Sequence, residues 1–151
     1  MTEAPLFAPV WVFTQLNWLA IFVAFVAAFI AGAIWFGPKT FFPMWWRAMG
    51  KDPNNMEVTG NMAVTFGATA IAAFVEAIAV ATVIYFVAAV SPHFGVLEGG
   101  LVGLLLGIGL AAASSLSHRL FAGQGFKVWL IEVSSDVVNL TIMGLIIGAW
   151  R

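Results

Sequence analysis

Four apolar runs dominate this 151-residue chain, at about residues 16–36, 62–90, 99–121 and 128–150. Each is close to or above the ~20 residues that a helix needs to cross ~30 Å of hydrocarbon. None alternates with a period of two, so helices are expected rather than barrel strands. A helix also satisfies its own backbone hydrogen bonds in lipid. Hydrophobic residues make up 62% of the chain and charged residues 9%, and a chain this short has too little interior to hide so much apolar surface from water. The expected fold is therefore all-α integral membrane, a four-transmembrane-helix bundle forming a single domain over 1–151.

Charge sets the expected orientation. Lys39, Arg47, Lys51, Arg119 and Lys127 fall in the loops after the first and third runs, whereas Arg151 is the only basic residue on the other side. The positive-inside rule then places those two loops in the cytoplasm and both termini outside, in a bacterial inner membrane. The opening MTEAPLFAPVWVFTQLNW has no Lys or Arg ahead of its apolar run, so the first run reads as a retained span and not a cleaved signal. Between the first two spans, PKTFFPMWWRAMGKDPNN brings Phe41, Phe42, Trp45, Trp46 and Met49 onto one helical face, with Arg47 among them. A short interfacial helix over about 39–51 is expected, its aromatic face anchored at the headgroup level. A platform for lipid headgroups or a partner is the functional alternative.

Three spans carry stripes of small or polar residues at three- and four-residue steps. They are Ala20, Ala24, Ala27 and Ala31 on the first, and Thr65, Thr69, Ala72, Glu76 and Ala79 on the second. The third has Gly100, Gly103, Gly107, Ala111, Ser114 and His118. Such stripes let helices approach closely where lipid gives no hydrophobic drive, so they are expected to face the bundle interior. Gly144 and Gly148 form a GxxxG pair on the fourth span, facing either a neighbour in the same chain or a second subunit.

The fourth span also contains IEVSSDVVNL, with Glu132, Asp136 and Asn139 on one face. At 1.5 Å per residue they lie about 6, 12 and 16 Å from the basic end. His118 and Arg119 fall at the level of Glu132, Ser114 and Thr69 near Asp136, and Glu76 near Asn139. One connected polar column is expected. Glu132 is expected to pair with Arg119 or Lys127. Glu76, with no basic residue at its level, is expected to stay uncharged and to donate to Asn139 or a backbone carbonyl, since an ionised group at that depth is costly. Buried polar residues commonly serve only to hold helices together. The sharper alternative is a proton-linked or cation pathway centred on Glu76 and Asp136, with Glu132 and His118 at its inner mouth.

Other chemistry finds little support. The chain has no cysteine, which removes disulfides and thiolate chemistry. Ser114, Ser117, His118 and Asp136 have the residue types of a hydrolytic triad but no nucleophile turn. One histidine and two acids at no diagnostic spacing imply no metal. GIGLAA matches a dinucleotide fingerprint in letters only, without the strand that gives it meaning. A net charge of −1 offers nothing to nucleic acid. No enzyme, metal or cofactor is implied. The expected partners are the lipid bilayer and either further copies of the chain or a larger membrane complex.

Two segments carry a family resemblance. NWLAIFVAFVAAFIAGAIWFGPKTFFPMWWRAMG (17–50) and KVWLIEVSSDVVNLTIMGLIIGAW (127–150) resemble the domain of unknown function family numbered 1761, small bacterial four-helix membrane proteins. The resemblance implies the topology and no activity. It also implies an asparagine at the place held here by Glu132, so the carboxylate is a departure from that pattern. A periplasm-dependent reporter fused to the C-terminus is expected to be active, and a fluorescent protein at the same place dark. The reverse pair of results would invert the orientation.

Overall fold

The computed structural model describes residues 11–52, 55 and 60–150. The helices lying wholly within the described residues are α1 (Trp18–Trp35), α2 (Phe42–Ala48), α3 (Met62–Ala89), α4 (Val96–Phe121) and α5 (Phe126–Ala149). No strand occurs among the described residues. All but α2 are long and apolar enough to cross a membrane. The ends differ by two or three residues at most from the apolar runs, because capping groups set them and not hydropathy. Asn17 accepts from the Ala20 amide at 3.1 Å to start α1. Asn61 accepts from Ala63 and Val64 to start α3. Glu98 reaches back to the Gly95 amide at 2.9 Å, which starts α4 at Val96, three residues earlier than the run suggests. Each satisfies an amide that the first helical turn leaves open. Gly123 and Gly125, at φ +71° and +82°, make the tight reversal into α5, a conformation glycine adopts without steric cost.

The tightest pairing is between α4 and α5. The two run antiparallel, with Gly99 against Gly144, Gly103 against Leu140 and Gly107 against Val137. A Cβ on Gly103 would stand 2.1 Å from the Leu140 carbonyl oxygen, and one on Gly144 would stand 2.1 Å from that of Gly99. Backbone meets backbone here, so no other residue fits. Gly148 closes against Gly95 and Gly99, which places the GxxxG pair inside the chain. Gly100 instead receives the Leu145 side chain.

Against this pair, α1 lies along α5, and α3 lies against α1 and α5. The apolar core gathers in the half remote from the basic loops: Ile21, Ala24 and Ala28 of α1, Ala77, Val80, Ala81 and Ile84 of α3, and Leu140, Met143 and Ile147 of α5. Asn17 ties that end together by donating to the Trp150 carbonyl at 2.6 Å.

Three of the expected stripes are re-phased. On α1 the lower part of the buried face passes through Ala28 and Gly32, in place of Ala27 and Ala31. On α3 the packed face is Ala77–Val80–Ala81–Ile84, and Thr65, Thr69, Ala72, Glu76 and Ala79 all lie exposed. Bulkier aliphatic side chains fill the space beside the α1 alanines, so the small face is left outward. On α4 the cause is a π-helical turn over Gly107–Ala112. An i→i+5 turn accommodates an extra residue, so every inward position beyond it moves on by one. Ser115 and Arg119 take the places that an unbroken helix gives Ser114 and His118, and those two are exposed.

Gly103→Val is expected to cost about 1–3 kcal/mol or more through overpacking, lowering the thermal midpoint in detergent. Gly109, with open space where a side chain would go, is the control: Gly109→Ala is expected to leave the midpoint within error.

Candidate functional site

The side chains with chemistry gather in the basic half, around α5. Glu132 is the hub. Its Oε2 lies 2.7 Å from Nε of Arg119 on α4, and its Oε1 accepts from the Trp45 indole N–H of α2 at 2.9 Å. Arg119 also donates to Gln124 of the α4–α5 turn at 2.9 Å. Of the two cations that sequence offers Glu132, the structure selects Arg119. This clasp ties α2, α4 and α5 together, and the Glu132 side chain is only 18% exposed.

Indole N–H groups organise the surroundings. Trp35 donates to the Ile131 carbonyl at 3.1 Å, joining α1 to α5. Trp129 lies 3.2 Å from both the Ala112 carbonyl and the Ser115 hydroxyl, so it supplies a donor to the π turn. Trp46 donates to the Asp52 carbonyl at 3.0 Å, and Lys51 sits 4.1 Å above its ring. A buried indole needs an acceptor for its single donor, and each of these has one.

The aromatic segment differs in pose from a simple anchor. Trp46 is buried, Phe41 stacks on Trp35 at 4.3 Å, and Trp45 packs against Phe36, Phe42 and Trp46. Arg47 is exposed and its Nε donates to the Pro43 carbonyl. The cluster folds onto the ends of α1 and α5 because the Trp45 donor has a carboxylate to reach. Headgroup affinity alone places these tryptophans near the basic end and does not name that partner. The readable signal was the pair itself: an indole donor and a carboxylate on adjoining segments, both near the basic end.

The expected column divides into separate parts. Glu76 and Asp136 are close enough for their charges to interact, as are Asp136, Glu132 and Arg119. Yet Glu76 and Asp136 are both exposed on the flank of the bundle, and neither makes a hydrogen bond within the described chain. Asn139 turns instead toward Gly32 of α1, where a Cβ would stand 3.3 Å from its amide nitrogen. Glu76 therefore does not bond Asn139. Thr69 bonds back to the Thr65 carbonyl at 2.8 Å, and Ser114 contacts the Ala111 carbonyl at 3.4 Å. With His118 they lie exposed. No group of three or more His, Asp or Glu suited to a metal occurs among the described residues.

A family model described as "Protein of unknown function (DUF1761)" matches residues 19–148, the same family that the two end segments resemble. No curated protein and no solved structure matches the chain.

The clasp predicts a measurable coupling. Trp45→Phe and Glu132→Leu are each expected to destabilise the protein, with a double-mutant coupling of about 0.5–1.5 kcal/mol. Strict additivity in detergent melts would show that the indole and the carboxylate act independently.

Proposed function

We propose, from the premise that this chain belongs to the DUF1761 family of proteins of unknown function, that it is a non-enzymatic association module of the membrane. It acts as an oligomerising or accessory subunit whose contact surface is the first half of α3. The observation that carries this reading is the outward stripe Thr65, Thr69, Ala72 and Glu76, on a helix where every residue from Met62 to Thr69 is exposed. In hydrocarbon an exposed carboxyl with no partner is costly, and small residues flanked by hydroxyls suit close helix–helix contact. Asp136, facing Glu76 from α5, extends the polar part of that surface.

In this reading the core-bearing half holds the chain together, while α3 leaves the bundle near Glu76 and offers its lower half to another helix. The five basic residues at that end favour a cytoplasmic placement for it. A second copy and a different membrane protein are both served by such a face.

Photo-crosslinking residues placed singly at Thr69 and Ala72 are expected to yield discrete protein adducts in native membranes. The same residue at Leu101 or Leu105, exposed on α4, is expected to yield lipid adducts only, and Glu76→Leu is expected to reduce the α3 adducts several-fold. Lipid adducts alone at all four positions would overturn the proposal.

A further inference from the structure

At the end remote from the basic loops, residues at the ends of α1, α3 and α5 line an open cleft of about 480 Å³. That volume lies within the ~300–1,000 Å³ typical of small-molecule sites. Its walls are mainly apolar, with Leu16 from the start of α1, Ala81, Ile84 and Ala88 from α3, and Ile147 from α5. The alanines leave the space. Between them along this face of α3 stand Ile84 and Tyr85, and Trp150 lies across, just past the end of α5.

Two polar groups at the cleft keep unused capacity. The Tyr85 hydroxyl makes no hydrogen bond within the described chain, although its ring is fixed edge-on against Trp11 and Phe86. Gln15 spends its amide N–H₂ on the Thr14 hydroxyl, which leaves its carbonyl oxygen to accept. Asn17, by contrast, is engaged at both ends of its amide, accepting from Ala20 and donating to Trp150. Among the described residues none that lines the cleft is charged, and a charged ligand group placed among them would lack a counter-charge.

We propose that this cleft binds an uncharged, single-tailed amphiphile drawn from the membrane. Its hydroxyl or carbonyl head bonds Tyr85 and Gln15, and its apolar tail lies along Ile84 and Ala81. The site opens where helix ends meet the headgroup level, so the head stays with the polar groups while the tail follows α3 inward. This surface is separate from the outward stripe of α3.

The probe for the test is a monoacylglycerol with a diazirine in its chain, applied to the full-length protein in bilayers, with unlabelled monoolein as competitor. Labelling is expected to be saturable and to map to residues 81–89 or 147–150. Ala88→Phe, which fills the space, is expected to abolish it. Tyr85→Phe is expected to weaken it roughly three- to tenfold, the loss of one hydrogen bond. A diazirine alkane without a head is expected to be insensitive to Tyr85→Phe, which separates head recognition from loss of fold; unchanged helical circular dichroism and thermal midpoint in each variant guard the same point. Labelling that rises linearly with probe, resists monoolein, or persists in Ala88→Phe overturns the proposal.

Discussion

The contact on which the rest of the molecule depends is the meeting of two backbones, α4 and α5, at Gly99, Gly103, Gly107 and Gly144. Between helices in lipid there is no gain from hiding apolar surface, because the tails outside are as apolar as leucine. What holds two helices together is close van der Waals packing, and glycine is the residue that brings peptide groups into direct contact. The remaining helices then dock onto a pair that is already rigid.

The polar residues follow from that arrangement. The spans fall in mean hydropathy from 2.4 in α1 to 1.7 in α5, and α5 is the most heavily buried of the four. The least apolar span is thus the central one, where neighbours can supply partners. Glu132 finds Arg119 and Trp45. It does so because the π turn in α4 rotates Arg119, not His118, toward α5. Asp136, one helical turn further along, lies exposed on the flank within reach of the charges of Glu132, Arg119 and Glu76. The same helix therefore closes the chain internally and contributes to its outer polar surface.

The four long helices were legible because run length is a direct consequence of bilayer thickness and backbone satisfaction, and the family resemblance at the two ends agrees with the matched region. The glycine contact was legible as a small-residue stripe. Which face of α3 turns inward was not, since Ala77 and Ala81 are as small as Ala72 and Ala79. The choice rests on how Val80 and Ile84 fit beside α1. The π turn had no signature beyond GIGLAA, so Ser114 and His118 were assigned one residue away from the positions that face α5. Trp45 is legible as part of an aromatic face suited to the headgroup level, and that affinity says nothing about which acceptor an indole will find.

The central place of α5 has a consequence for how the molecule comes together. Synthesis delivers α1, α3 and α4 first, yet α4 meets its main partner, and α1 the largest part of its packing, only once α5 has emerged. Until then the glycine face of α4 has nothing to close against, and the Arg119 guanidinium has no carboxylate. Assembly is therefore a late event that runs backward along the chain. The final helix acts as the template onto which the earlier ones are gathered.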